Sequence, residues 1–279
     1  MQQEYQTRKA ISTFLYFLRD LGKFFKGALL NIFNPAFLCV LIPLLLLWEF
    51  LPRFGVLDRN LVHPFSSVMT TLFDMFVNGG FFWDVFDSLI KVFHGLFLAI
   101  LFAIPIGTLM GWNEAIRKRT LPLFQMLSPI PAPAWFPIAI IFLGIGYDMQ
   151  VFLIFIGTFF PMLINTYHAV KDTEPRYIAS ARSFGASELT LIFRVYIPAS
   201  MVAIISSLKT GVSMGLVMLV IAEMYGGRTG IGFVMNEARQ FFRVPVVMAS
   251  MVTFGSIGWF IVEIIKFIEL KLSIWKGGR

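Results

Sequence analysis

Long apolar runs alternate with short polar segments along this chain. Runs at 35–52, 84–112, 121–143, 150–170, 199–224 and 244–270 approach or exceed the ~20 residues a helix needs to cross a bilayer. They predict an all-α, polytopic membrane protein with about six transmembrane helices, because an isolated segment in hydrocarbon satisfies its own backbone only as a helix. Pro43, Pro105, Pro137 and Pro161 fall inside these runs. Proline is tolerated there because neighbouring helices re-satisfy the freed backbone groups. Residues 8–30 carry a different pattern. Ile11, Phe14, Leu15, Leu18, Leu21, Phe25 and Ala28 follow helical spacing, and Ser12, Tyr16, Arg19, Lys23 and Lys26 form the opposite stripe. This predicts an amphipathic helix lying in the interface plane. The expected organisation is therefore an N-terminal interfacial or cytoplasmic helix at 1–34 and a membrane domain at 35–279.

One polar segment stands out. Thr173–Ser200 is too long for a simple turn and has helix signals of its own. Glu174-Pro175 opens a helix, since proline suits the first turn and Asp172 and Glu174 suit the positive end. Ile178 and Ala181 share one face of it. Gly185 stops it, because the left-handed residue that closes many helices wants no Cβ. Ser187 caps a second helix with Glu188 in its first turn, and Ile197-Pro198 re-enters the fifth apolar run. The prediction is a rigid two-helix knob on the membrane face. Read from the residues alone, it is either an ordinary surface helix–turn–helix or a docking surface for another protein. A shorter segment, His63-Pro64 followed by Val68, Leu72, Met75 and Phe76, predicts a helix along the opposite face.

Composition supports the membrane reading: 57% of residues are hydrophobic and 14% charged, against roughly 25% charged in soluble domains. The net charge of +7 would suggest nucleic acid in a soluble protein; here it reports orientation. With the N-terminus inside, sixteen Lys and Arg fall on inner segments and five on outer ones, while Lys91 and Lys209 lie within runs. The positive-inside rule then puts the N-terminus and the 173–200 knob in the cytoplasm. Ile11–Leu18 is followed by Arg19 and Asp20 rather than a small-residue cleavage site, so the N-terminus is expected to be retained. The single Cys39 excludes a disulfide framework and is expected as a small buried hydrophobe.

Catalytic motifs do not emerge. No G-x-x-x-x-G-K-[ST] occurs, and Gly22-Lys23 is followed by Phe24. Gly227-Arg-Thr-Gly230-Ile-Gly232 has the wrong order for a dinucleotide fingerprint. The serines lack a neighbouring histidine–carboxylate set. His63, His94 and His168 sit on separate segments, so no metal site is expected. Within the apolar runs Lys91, Asn165, Lys209 and Glu223 are the candidate lining of a solute pathway, because a charge at mid-membrane costs about 2.5–3.5 kcal/mol and needs a partner or a wet cavity. The alternative for Lys209 is a structural ion pair, with Glu223 the nearest candidate in sequence. Gly211-x-x-x-Gly215 and Gly107-x-x-x-Gly111 allow close helix approach, either between subunits or within one.

Ala181-Arg-Ser-Phe-Gly-Ala-Ser187 and Ile197-Pro198-Ala199 resemble the cytoplasmic EAA-type loop of bacterial ABC importer permeases. The likeness extends over residues 60–275. It includes Ser88-Leu-Ile-Lys-Val92 with Gly95, Leu127-Ser-Pro-Ile-Pro131, Phe142-Leu-Gly-Ile-Gly146 and Phe160-Pro-Met-Leu-Ile-Asn-Thr166. Ala222-Glu-Met224 and Gly230-Ile-Gly232 complete it. In order and spacing these are similar to the nitrate/sulfonate/taurine/bicarbonate branch of binding-protein-dependent permeases. One departure is visible: the family's Glu-Ala-Ala opening stands here as Ala179-Ser180-Ala181.

The resemblance implies a type I ABC importer architecture with a core at about 84–270 and a coupling loop at 173–198. It implies a second permease subunit, expected as a homodimer, two cytoplasmic ATPase subunits that bind ATP and Mg, and an extracytoplasmic solute-binding protein, all at a bacterial inner membrane. No cofactor is expected in this chain, which is then a transporter subunit and not an enzyme, and no nucleic-acid partner. Pro175, Arg176, Ile178, Ala179, Ala181, Arg182, Gly185 and Ala186 become the expected ATPase-coupling residues. The implied solute is a small anion, with a sulfonate or taurine ahead of nitrate, bicarbonate or a thiamine precursor. Two other readings stay open from the residues. One is a secondary transporter driven by an ion gradient through Glu223 or Lys209; the other is a non-transporting scaffold whose knob recruits an enzyme.

Overall fold

A computed structural model describes Gly22, residues 34–58 and residues 61–273, and over these the chain is helices joined by short turns. The expected amphipathic helix at 8–30 lies outside the described residues, Gly22 apart. Two units divide between Ser66 and Ser67.

In the first unit α1 spans Pro35–Arg53. Proline occupies its first turn, and the Asn34 side chain accepts from the Ala36 N–H at 3.1 Å, satisfying one of the orphan donors of the helix start. Its far end is polar. Glu49 pairs with Arg53 at 2.5 Å and accepts from the Ser66 N–H and hydroxyl, each at 2.9 Å. Phe37, Val40, Leu44 and Leu47 are exposed along α1, and so is Cys39. The expectation of a buried Cys39 is thus corrected. A helix this apolar presents most of its surface to lipid, and a thiol is a small hydrophobe there as much as in a core.

The second unit holds all but the first two residues of α2 (Phe65–Asn78), then α3 (Phe81–Trp112), α4 (Glu114–Leu127), a 3-10 turn (Ala132–Trp135), α5 (Phe136–Leu143) and α6 (Tyr147–Lys171). It continues with α7 (Pro175–Ser183), α8 (Glu188–Leu191), a π-helical turn (Ile192–Tyr196), α9 (Ile197–Gly226), α10 (Ile231–Gln240) and α11 (Val244–Ser273). Counting α1, five helical stretches are long and apolar enough to cross a membrane; the α4–α5 pair makes a sixth if taken as one span.

That pair corrects the expected continuous run at 121–143. Its two halves meet at 89° across a break. Pro129, Pro131 and Pro133 explain the break: each lacks the N–H that would continue the helical hydrogen-bond ladder. The helix therefore ends at Leu127.

α6 is the axis of the unit, with α3 and α9 packed along it. Leu153, Ile154, Met162 and Leu163 on α6 are completely buried. Lipid tails are as apolar as leucine, so close van der Waals packing holds such helices together, and small residues permit it. A Cβ added at Gly107 of α3 would lie 2.8 Å from Thr166. One added at Gly215 of α9 would lie 2.6 Å from the Thr158 hydroxyl. Both small-residue pairs therefore pack on α6 of the same chain. α11 covers α9 and α10 from the other side.

Candidate functional site

The polar groups gather at opposite ends of the α3–α6–α9 bundle. At one end is the knob. α7 begins at Pro175, as its proline predicts, and closes in a Schellman motif: Ala186 N–H bonds Ala181 O at 3.1 Å and Gly185 N–H bonds Arg182 O at 2.9 Å. Gly185 stands at φ +74° with open space around it, so backbone conformation, not crowding, demands glycine. The Ser187 hydroxyl then accepts from the Thr190 N–H at 3.3 Å and starts α8. The expected coupling residues fall into two groups. Pro175, Arg176, Ala179, Arg182 and Gly185 are exposed. Ile178, Ala181 and Ala186 pack beneath them against Val170, Leu191, Tyr196 and Ile204. The first group forms a presented surface and the second anchors it.

Glu188, expected only as a first-turn acid, links three elements. Its carboxylate accepts from the Trp112 indole of α3 at 3.0 Å and from Arg182 of α7 at 3.2 Å. The π turn between α8 and α9 was missed by sequence reading. Pro198 has no N–H for Arg194 O and its ring crowds that carbonyl. Just before it the ladder widens, with Ile197 N–H bonding Ile192 O. A cleft of about 620 Å³ opens beside this turn, lined by Tyr177, Ser180, Arg194, Val195, Pro198 and Leu272.

At the other end two of the four pathway candidates meet. Lys91 and Glu223 are 2% and 0% exposed and lie 3.0 Å apart. Lys91 also reaches Asp87 at 2.6 Å and the Thr229 carbonyl at 3.2 Å. Glu223 accepts from the Ser88 hydroxyl at 2.7 Å and from the Gly232 N–H at 2.8 Å. The Ile231 N–H donates to the Ser88 hydroxyl at 3.0 Å, and the Gly230 N–H donates to Asp84 at 2.9 Å. Three free N–H groups at the start of α10 are thus satisfied by side chains of α3 and α9. Gly230, at φ +106°, has its virtual Cβ 2.2 Å from the Glu223 carboxylate; only glycine lets the backbone come this close. The sequence marks Ser88 only as part of a family-like motif and gives no role to Asp84 and Asp87, although with Lys91 they form a one-face polar stripe at helical spacing on an otherwise apolar helix.

The other two candidates lie elsewhere. Lys209 pairs with Glu269 of α11 at 2.5 Å and not with Glu223, which corrects the suggested pairing. The reason is geometric: a separation of fourteen residues from 209 to 223 corresponds to about 21 Å along one helix, beyond the reach of a lysine. Asn165 is exposed on α6. The histidines do not converge: His94 bonds the Tyr147 hydroxyl at 2.7 Å, while His168 is exposed near the far end of α6.

Comparison with known proteins decides what this bundle is. The family model described as binding-protein-dependent transport system inner membrane component matches residues 95–269. The chain belongs to that family. A Methanocaldococcus jannaschii chain classed as an ABC transporter permease is 33% identical over 256 residues, covering 90% of this chain and 93% of the relative. The taurine transport system permease protein of Escherichia coli is 30% identical over 190 residues, covering 68% and 69%. In fold, the permease resembles the MetNI methionine ABC transporter in an inward-facing conformation, with a TM-score of 0.56 at 16% identity over 68% of this chain and 92% of that one. It is a multi-pass permease subunit of an ABC importer.

Proposed function

We propose that two copies of this permease form the pathway for a small anionic solute, with a sulfonate or taurine-like compound ahead of nitrate, bicarbonate or a thiamine precursor. Each copy presents its 173–200 knob to one cytoplasmic ATPase subunit, and ATP and Mg are held by those subunits. An extracytoplasmic binding protein delivers the solute to the opposite face, and the N-terminus is cytoplasmic. Closure of the ATPase pair would move the knobs and rock the two permease halves, alternating access around a fixed site.

The observation that carries this reading is the knob itself. Its outer residues are exposed and its inner residues are wedged against the ends of α6 and α9. A push on the surface is thereby delivered to the helices on which the bundle is built. The taurine relative supports the solute class. The two charges that an ion-driven transporter would use are each occupied, Glu223 by Lys91 and Lys209 by Glu269, which disfavours that reading.

Reconstitution tests the proposal. Vesicles holding the permease, its ATPase and the matched binding protein are expected to accumulate a sulfonate only with internal ATP and Mg. Uptake by the permease alone, or uptake abolished by a protonophore with ATP intact, would overturn it.

A further inference from the structure

The cleft of about 620 Å³ at the root of the knob lies between α7, the π turn with the start of α9, and the end of α11. The geometry points to a binding site in it for one anionic phospholipid of the inner leaflet, with the phosphate on Arg194 and an acyl chain along Met201, Val202 and Leu272. No step of the transport cycle proposed above uses this cleft. The inference rests on the cytoplasmic placement of the knob in that proposal and adds a lipid partner to it.

Charge is the first observation. Arg194 lines the cleft, is exposed, and makes no ion pair or hydrogen bond among the described residues. Two other arginines of the knob are engaged, Arg176 with Glu174 and Arg182 with Glu188. Among the described residues no Asp or Glu lines the cleft. Its wall thus carries one unspent guanidinium, whose forked N–H donors match phosphate oxygens. The Ser180 hydroxyl is a further donor in the lining. Arg194 also sits in the middle of the π turn Ile192–Tyr196, a wider winding of the kind that recurs at functional sites.

Depth is the second. Ser180 on α7 and Arg194 in the π turn lie outside the spans, whereas Met201 and Val202 lie about one turn inside α9 and Leu272 is in the last turn of α11. The lining is therefore polar at the level of headgroups and apolar at the level of tails. A free phosphate would leave the apolar end without contacts, and an uncharged chain would leave the guanidinium unspent. The ATPase-facing surface lies elsewhere on the knob. At about 100° per residue, Tyr177 and Arg182 stand about 140° apart around α7, on opposite flanks of the anchoring Ile178 and Ala181. The cleft opens on the Tyr177 flank, where the end of the membrane-crossing α11 closes it; Arg182 and Glu188 pair on the other.

Native mass spectrometry of the full chain, titrated with dioleoylphosphatidylglycerol or dioleoylphosphatidylcholine, tests the site. The parent is expected to bind one phosphatidylglycerol at least about fivefold more tightly than phosphatidylcholine, the factor that one cation near an anionic lipid contributes. Arg194→Ala should remove that preference, and Arg194→Lys, which keeps the charge, should retain most of it. Val202→Trp, which fills the apolar half, should weaken both lipids. Equal binding of the two lipids by the parent, or a preference unchanged in Arg194→Ala, overturns the site. Displacement of the bound lipid by millimolar inorganic phosphate would assign the cleft to a free anion, and its displacement by the ATPase would assign it to that protein; either overturns the lipid. A parent without lipid preference that still supports ATP-driven uptake in vesicles sinks this site and leaves the importer reading standing. A preference lost in Arg194→Ala, in a transporter without ATP-driven uptake, does the reverse.

Discussion

Lys91 and Glu223 are 2% and 0% exposed at one end of the bundle, enclosed by hydroxyls and backbone N–H groups of α10. Arg182 and Glu188 at the other end form a 3.2 Å pair whose side chains are 59% and 55% exposed. Both are ion pairs, yet they do different physical work. In the buried cluster the desolvation penalty is offset only because every charge has several partners; removing one strands the other in low dielectric. At the knob, water screens the pair, and shape comes mainly from the Schellman turn, the Ser187 cap and the apolar anchors. One end is built to stay closed around a connection between α3, α9 and α10. The other is built to hold a surface steady while leaving it free for a partner.

Breaking the buried cluster gives the largest expected effect. Glu223→Leu leaves Lys91 with only Asp87 and the Thr229 carbonyl and frees the Gly232 N–H, which should destabilise the permease by about 3 kcal/mol or more. Thermal unfolding in detergent and yield in the membrane fraction measure it. Adding Lys91→Met should recover a substantial part of the loss, because the stranded charge is gone. A Glu223→Leu protein that melts like the parent would end the claim of a buried lock.

The knob should respond in function before stability. Gly185→Val forces a β-branched residue to φ +74°, at a local cost of about 1–2 kcal/mol. Membrane insertion is expected to be near normal and co-purification with the ATPase to be lost, whereas Gly185→Asn, which tolerates the left-handed region, should retain it. Full ATPase association by the valine variant would contradict the knob model.

A case between the two ends sharpens the contrast. Lys209 and Glu269 are about a quarter and a fifth exposed. Lys209→Met should therefore cost about 1 kcal/mol, well below Glu223→Leu, and leave ATP-driven uptake largely intact. Complete loss of uptake in a folded Lys209→Met protein would return this lysine to the pathway. Smallest of all, Arg182→Ala should change stability by less than about 1 kcal/mol. Its effect should appear in ATPase association, measured as a weaker pull-down rather than a lower melting temperature.

The local parts of this design were readable in advance. Five of the six expected spans agree with helices to within three residues at each end, because hydropathy and helix caps act over a few neighbouring positions. The Glu174-Pro175 start, the Gly185 stop and the Ser187 cap are all present for the same reason. The sixth span is broken because Pro129, Pro131 and Pro133 sit inside an apolar run, where hydropathy and helix-breaking residues point in opposite directions. The π turn was invisible because its signal, one proline after Ile197, also fits an ordinary helix start.

Taken alone, the order of residues determined a six-run membrane chain with a two-helix projection, and its motifs identified the family. Tertiary structure decided which charges are partners. Lys91 and Glu223 are 132 positions apart, and nothing periodic links them. Their pairing depends on which faces α3 and α9 turn to each other once both pack on α6, and on two glycines that let the start of α10 descend onto the carboxylate. Among the described residues, tertiary structure likewise left Gln150 Oε1 without a donor. Whether a buried atom is satisfied depends on everything around it, and that is settled only when the helices have met.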